Sequence, residues 1–292
     1  MKHFKKIALK CPLLLIPFYF FLRIRYGFSV YQRLCRKYGA GRQWYSSFSV
    51  SSGDTYYAAR AYAALVRRQQ TGEKACFLVT GNGQKRLAEW LRIVPTISIS
   101  PLETHNLSRF HRFLLPTTAL PIHILHCQPA QMYPYLNEYL LSFRDFDFLS
   151  MSLIIYGDMD RADLAVPETD VRDQSVMTLL HSHGLSKGRT VVLSPYAYCI
   201  DRLPMSFWSG LARQLRRIGY CVCTNCANKQ EDPVPGTVGV FVPYALAVPF
   251  LERAGYLIAL RSGFVDVTGQ AECKKVILYP RHNRNVWRFI RK

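Results

Sequence analysis

The sequence lacks an apolar run long enough for a confident transmembrane helix. Its most apolar stretch, Cys11 to Leu22, is short and is interrupted by two prolines. Arg23 and Arg25 follow it, where a secretory signal peptide would need small residues for cleavage. Residues 1–43 are therefore either an interfacial segment on an anionic membrane surface or an ordinary buried N-terminal helix. The basic residues on both sides of the stretch favour the interfacial segment.

Acidic residues are also scarce, with 19 aspartates and glutamates against 38 lysines and arginines and a formal net charge of +19. This excess favours anionic partners such as nucleic acid, acidic membrane or phosphorylated substrates. The cations concentrate near the N-terminus and in a basic C-terminal tail, residues 281–292. No dense basic and aromatic motif lies between them, so we expect no specific nucleic-acid partner.

The nine cysteines are odd in number and scattered through apparent strands and helices, which argues against a disulfide framework and favours reduced thiols in the cytosol. Cys221, Cys223 and Cys226 form the closest cluster. A zinc site would need a fourth ligand, and no CxxC pair completes the set. The cluster therefore indicates core or strand-end thiols, and we expect no metal site.

No internal repeat of solenoid period is present, and strand and helix patterns alternate instead, as in a doubly wound α/β sheet. The polar stretch Asp158 to Arg172 separates two such series, which predicts two α/β domains, residues 44–165 and 166–280, facing each other across a cleft. The predicted strands are Trp44 to Val50, Ala75 to Thr80, Ile97 to Ser100, Pro121 to Cys127, Leu149 to Tyr156, Thr190 to Leu193, Tyr220 to Thr224, Val238 to Val242, Tyr256 to Leu260 and Lys275 to Tyr279. The predicted helices are Thr55 to Gln70, Gln84 to Arg92, Ser175 to His183, Pro204 to Ile218 and Ala245 to Ala254.

Two turns of similar character follow predicted strands in opposite halves of the chain. The first, Ser51 to Thr55, delivers the carboxylate of Asp54 to the start of a helix. The second is part of Leu260 to Asp266 and also leads into a helix. In a parallel sheet the carboxyl ends of the strands gather ligands at one edge, and backbone N–H groups at a helix start bind phosphate. These features predict an anion site in the second half; the alternative is a set of ordinary loops. The residues expected at this edge are Ser194, Asn225, Pro243, Arg261, Ser262 and Gly263.

These motifs resemble the ADP-heptose–lipopolysaccharide heptosyltransferase family and the wider inverting glycosyltransferases of GT-B fold. Ser52-Gly53-Asp54 is similar to the family's early glycine-aspartate turn, whose aspartate is the catalytic base. Ser194 to Trp208 resembles the opening of its donor domain, with Pro204 and Trp208 matching. Leu260 to Asp266 resembles the turn that holds the nucleotide diphosphate, with Ser262 and Gly263 matching. The resemblance implies an acceptor-side domain over 44–165 and a nucleotide-sugar-binding domain over 166–280.

Three positions depart from the family pattern. The family usually has an acidic residue at the position of Arg261 and a histidine at the position of Asp266. A lysine before the Pro-Trp helix has no clean match, although Arg202 lies close to its place. These departures leave the identity of the donor sugar open. The fold and the broad reaction class depend on them less.

Glycosyl transfer needs a base for the acceptor hydroxyl and positive charge for the departing nucleotide diphosphate. Asp54 is the candidate base, with Ser52, Gly53 and Thr55 beside it on the acceptor side; a helix N-cap is its alternative role. Arg261, Ser262, Gly263 and Arg202 are the candidates for the diphosphate, and Asp266 either binds donor hydroxyls or complements the helix dipole. Asp158-Met159-Asp160 has DxD spacing but falls in the predicted linker, so we expect metal-independent transfer without a cofactor.

The sequence thus predicts a cytoplasmic glycosyltransferase, peripheral on the inner face of the cell membrane. It would use a nucleotide sugar to extend a surface glycan, such as lipopolysaccharide or capsule, or its lipid-linked precursor. The alternative is a noncatalytic scaffold of the same fold that binds nucleotide or glycan. The inverting outcome is implied by the family resemblance alone.

Overall fold

A computed structural model of the protein describes residues 12–69, 72–113, 121–125, 173–197, 200–227 and 231–279. These residues form two compact units. The first contains residues 12–50 and the described residues from 57 to 125, and the second contains residues 51–56 and the described residues from 173 to 279. Each unit is built on a parallel β-sheet, which confirms the predicted α/β class. The facing of two domains across a cleft stays a prediction.

The four strands of the first sheet are all parallel and have the order β3-β2-β1-β4. Strand β2 is buried along its whole length, as its continuous apolar run predicts for a sheet covered on both faces. Trp44 of β1 and Leu78 of β2 form the core with Leu107. The elements up to residue 125 are α1 (Pro12–Tyr38), β1 (Gln43–Ser46), α2 (Ser52–Gln69), β2 (Ala75–Thr80), α3 (Gly81–Trp90), β3 (Thr96–Ile99), α4 (Pro101–Phe113) and β4 (Ile122–Ile124).

Helix α1 runs through Pro17, contrary to the predicted interruption, and its second half packs against α4. Val30 and Leu34 are buried in the core of the first unit. The two helices cross closely, because a Cβ on Gly27 would lie 2.3 Å from the backbone oxygen of Asn106. One stripe of α1 is thus buried, whereas the interfacial role of residues 1–43 stays a prediction. Among the described helices, none is both long enough and apolar enough to cross a membrane.

The second sheet has five parallel strands in the order β7-β6-β5-β8-β9. Alternate residues of β5 enter two different cores, since Val192 packs with α5 and α7 whereas Val191 and Leu193 pack with Trp208 of α6. Helices therefore cover both faces, as in a doubly wound sheet. The elements are α5 (Asp173–Ser182), β5 (Thr190–Ser194), α6 (Met205–Arg217), β6 (Cys221–Asn225), β7 (Val238–Val240), α7 (Tyr244–Ala254), β8 (Gly255–Leu260), α8 (Gly263–Val267) and β9 (Lys274–Leu278).

Most predicted elements within the described residues are present with shifted ends. The clearest shift is in the first unit, where β1 ends at Ser46 and α2 begins at Ser52, three residues earlier than predicted. Phe48 has a φ of 46°, a left-handed backbone conformation that ends the extended segment. The predicted strand Leu149 to Tyr156, the linker Asp158 to Arg172 and the tail 281–292 lie outside the described residues.

The predicted thiol cluster lies at β6. Cys223 and Cys226 are buried and Cys221 is half-buried, and all three are free thiols. Burial raises the pKa of Cys223 to about 12, which keeps this thiol protonated and unreactive at neutral pH. No group of three or more metal-binding side chains suited to one ion occurs in the described part of the chain.

Candidate functional site

The carboxyl ends of β5 and β6 bring two predicted donor-binding residues together. Ser194 is the last residue of β5 and Asn225 the last of β6, and both are buried. The Asn225 side-chain amide donates a long hydrogen bond of 3.5 Å to Ser194 Oγ. Pro243 lies at the N-cap position of α7, after strand β7. The polar ends of neighbouring strands thus lie along one edge of the second sheet.

The turn that carries Asp54 belongs to this same unit and packs against α7 and α8. The hydroxyl group of Tyr244, at the start of α7, donates a hydrogen bond of 2.9 Å to Ser52 Oγ. A Cβ on Gly263 would lie 2.7 Å from the backbone nitrogen of Gly53 and 3.0 Å from Ser52 Cβ. Close approach to the backbone of Gly53 therefore requires a glycine at position 263. Together these contacts hold Asp54 beside the Leu260 to Asp266 turn.

Arg261 and Asp266 contact each other within this turn. Arg261 Nη2 lies 3.4 Å from Asp266 Oδ2, and the two side chains are only 17% and 12% exposed. The contact is ionic and lacks hydrogen-bond geometry, since Asp266 Oδ2 is buried without a hydrogen-bond partner among the described residues. The predicted cationic group of Arg261 is therefore partly neutralised from inside the protein. Arg261 and Asp266, which both depart from the family pattern, thus contact each other in this chain.

The carboxyl group of Asp266 titrates far above its ordinary range. Burial raises its pKa from 3.8 to about 6, the Arg261 charge opposes this shift, and the Asp54 charge adds to it. A carboxyl with a raised pKa binds its proton more tightly in the folded protein than in the unfolded chain. Its stabilising contribution is complete below the unfolded pKa and is lost as the pH rises through about 6.

This shift predicts that the difference in stability between the wild type and Asp266→Asn depends on pH. As pH rises from 4 toward 8, the free energy of unfolding of the wild type should fall relative to the variant. The fall should be about 3 kcal/mol, because each pKa unit corresponds to about 1.4 kcal/mol. Urea unfolding across this pH range measures it, with Asp201→Asn on the exposed loop as the matched control. Parallel pH profiles for wild type and Asp266→Asn would contradict the shift.

Arg202 lies on the loop between β5 and α6, where its guanidinium group is 5.5 Å from the ring centroid of Tyr196. The hydroxyl group of Tyr196 donates a hydrogen bond to the backbone oxygen of Asp232. Glu231, which precedes Asp232, is buried and accepts a 2.6 Å hydrogen bond from the Ala227 backbone N–H. The bond from Tyr196 joins the described parts of the loops that follow β5 and β6.

Three residues of the two turns have local roles that the structure defines. Asp54 is not the N-cap of α2, because the helix begins at Ser52 and the Thr55 N–H already bonds to Ser51 O at 3.1 Å. The hydroxyl group of Thr55 is buried and donates to the same oxygen at 2.9 Å, so the structure uses it within the helix start. Ser262 is at the N-cap position of α8, but its buried hydroxyl makes no hydrogen bond within the described part of the chain.

Tyr244 is the residue of this site that sequence reasoning missed. It directly follows Val242-Pro243 at a predicted strand end, and this position was the available signal. Burial raises its pKa, whereas the bond to Ser52 opposes the shift, so the phenol remains a hydrogen-bond donor at neutral pH. Its partner is 192 residues away in sequence, and no local pattern indicates that pairing.

Comparison with known proteins gives evidence on the fold. No protein-family model matches the sequence, and no curated protein matches it. A glycosyl transferase family 9 structure from Veillonella parvula matches with a TM-score of 0.50 at 14% identity, over 83% of this chain and 82% of that one. An Escherichia coli ADP-heptose lipopolysaccharide heptosyltransferase II gives 0.49 at 15% identity, over 82% and 84%. An E. coli heptosyltransferase with ADP-2-deoxy-2-fluoro heptose gives 0.47 at 14% identity, over 83% and 90%.

The Veillonella structure shows that this chain has the α/β fold of a glycosyltransferase, at an identity too low to carry more than the fold. The α/β fold that the family resemblance implies is thereby confirmed.

Proposed function

We propose that the protein is a glycosyltransferase that transfers a sugar from a nucleotide-sugar donor to a surface-glycan or lipid-linked acceptor. Transfer would be metal-independent and would invert the anomeric centre, and the two domains would face each other across a cleft as in the GT-B fold. The observation that carries this proposal is the packing of the Asp54 turn against the Arg261–Asp266 turn within one compact unit. The turn that carries a carboxylate suited to a base thus contacts the turn that carries a guanidinium suited to a phosphate.

In the proposed reaction Asp54 accepts the proton of the acceptor hydroxyl as that oxygen attacks the sugar. Such positioned proton transfer contributes about 10²- to 10⁴-fold to rates. Ser52 and Gly53 hold the base in place through their contacts with Tyr244 and Gly263. These contacts fix the backbone that carries the carboxylate.

The departing diphosphate would be held by Arg261 and Arg202, whose guanidinium groups form bidentate, charge-assisted hydrogen bonds with phosphate. Arg261 is paired with Asp266, whose pKa of about 6 makes protonation accessible near neutral pH. A bound dianion would favour protonated Asp266 and so release Arg261 for the phosphate. Ser194 and Asn225 are the proposed contacts for the rest of the donor, and we expect the pocket to include Pro243, Ser262 and Gly263.

A panel of nucleoside diphosphates, tested by ligand-observed NMR and then as nucleotide sugars in transfer assays, tests the function. We expect the nucleoside diphosphate of one nucleobase to bind selectively. Arg261→Gln should weaken the affinity for this nucleotide about 10- to 100-fold, because one charged hydrogen-bonding group is lost. Arg213→Gln, an exposed change on α6, is the control. No binding and no turnover across the panel would contradict the proposal.

The second candidate function is a noncatalytic scaffold that binds nucleotide or glycan. It is favoured by one observation, the buried Arg261–Asp266 pair, at positions where the family usually has an acidic residue and a histidine. Selective nucleotide binding without turnover over a broad acceptor panel would support it against the enzyme.

A further inference from the structure

We propose that helix α1 lies along an anionic lipid surface and attaches the protein to it. This inference does not depend on transfer activity, and it identifies the face of the molecule that meets the membrane. The partner is the surface of a bilayer that contains acidic phospholipid.

The first observation is the charge of the N-terminal region. Residues 1–53 contain no aspartate or glutamate, and Asp54 is the first acidic residue of the chain. The same region contains ten of the 38 basic residues: Lys2, Lys5, Lys6, Lys10, Arg23, Arg25, Arg33, Arg36, Lys37 and Arg42. Each cation close to an acidic leaflet contributes about 1 kcal/mol of attraction. Arg33 forms an ion pair of 2.6 Å with Glu103 of α4, so the attraction to an anionic surface depends on the other cations of this acid-free region.

The second observation is the exposed apolar surface of α1. Gly27, Val30 and Leu34 define the stripe of the helix that packs into the first unit. Outside this stripe four large apolar side chains are exposed in the described structure: Phe21 (61%), Leu22 (43%), Tyr26 (47%) and Phe28 (42%). Arg25 and Arg36 are exposed on the same helix. Apolar and cationic groups interleaved in this way are typical of helices that lie in the interface of a bilayer.

The positions of the charged residues indicate how α1 is oriented relative to the bilayer. The uncharged part of α1, Pro12 to Leu22, spans about 17 Å, well short of the ~30 Å hydrocarbon core. Lys10 precedes this run and the exposed Arg25 follows it, so cations that favour the headgroup level flank the run on both sides. An in-plane helix keeps both cations at that level, whereas a perpendicular one would bury one of them.

Other occupants of this face fit less well. A second copy of the chain would bring two acid-free, cationic helices together, and like charges repel. A nucleic acid would use the arginines but would leave Phe21 and Leu22 without a role. An acidic lipid surface accounts for the cations and the apolar side chains together.

Vesicle co-sedimentation of the full chain tests the proposal. We expect binding to vesicles in which about a third of the lipid is phosphatidylglycerol, little binding to neutral phosphatidylcholine vesicles, and release by raised salt. Arg25→Gln with Arg36→Gln should lower the partition coefficient about 25-fold, at about fivefold for each charge. Phe21→Ser with Leu22→Ser should lower it at least about tenfold, because the apolar anchoring area is lost.

Two control variants separate this face from the general charge of the protein. Arg213→Gln with Arg217→Gln removes the same charge from exposed positions of α6, and Ile218→Ser removes an exposed apolar residue next to them. Both controls should sediment like the wild type. Failure of the wild type to bind acidic vesicles would overturn the proposal, and so would α1 variants that bind as well as the controls. Thermal unfolding of each variant checks that the fold is intact.

Discussion

Asp54→Asn is expected to reduce transfer about 10²- to 10⁴-fold while leaving nucleotide affinity within about twofold. The change keeps the shape of the side chain and removes its basicity. Helix α2 should keep its start, because Ser51 O already accepts the bond from the Thr55 N–H. An effect confined to turnover would therefore report the loss of a proton acceptor rather than a local rearrangement.

The measurement compares kcat/KM with the chosen donor against nucleotide affinity by NMR. Asp201→Asn, an exposed aspartate on the loop before α6, is the matched control and should keep both quantities. A second readout is independent of activity. Removing the Asp54 charge should lower the pKa of Asp266, since that charge helps to raise it. Unchanged turnover in Asp54→Asn would remove Asp54 from the role of base.

Regular hydrophobic patterns predicted most of the described sheet strands. Ala75 to Thr80 matches β2 end for end, because a fully buried parallel strand needs a continuous apolar run and a glycine ends it here. The end of β1 was not predictable in this way. It depends on Phe48 in a left-handed conformation, which phenylalanine rarely adopts and which no local residue pattern indicates. The start of α2 shifts accordingly.

The sequence predicted which residues lie at the strand ends, but it did not predict the contacts between distant parts of the chain. Ser194 and Asn225 were predicted at one edge because parallel strands end together, and they contact each other in the structure. The bond between Tyr244 and Ser52 joins positions far apart in the chain, and only tertiary packing brings them into contact. The ionic contact of Arg261 with Asp266 was missed for a different reason. Each residue is a separate departure from the family pattern, and the pattern itself does not indicate a contact between them. Their separation of five residues nevertheless allows contact across one turn.

Gly53→Ala is expected to destabilise the second unit by about 1–3 kcal/mol and to lower transfer strongly. A Cβ at this position would lie 2.0 Å from Asp266 Oδ2, far inside van der Waals contact. Asp266 cannot retreat easily, because its side chain is buried and the opposite side of the contact is the backbone of α2. Either the α8 turn or the Asp54 turn must move, and overpacking of this kind costs free energy in a dense interior.

The size of the effect should depend on the side chain at position 266. In an Asp266→Ala background the two carboxylate oxygens are absent, and the Asp266 Cβ lies 3.2 Å from the new methyl group, a tight distance that small shifts relieve. Gly53→Ala should then cost at least about 1 kcal/mol less than in the wild type, which urea unfolding of the double-mutant cycle measures. Gly210→Ala in α6 is the control, since its Cβ would meet no atom within 4 Å and should stabilise the helix by about 0.5–1 kcal/mol. Equal costs in both backgrounds would mean that Gly53 is needed for some other contact, and the tight packing of the Asp54 turn against Asp266 would lose its main support.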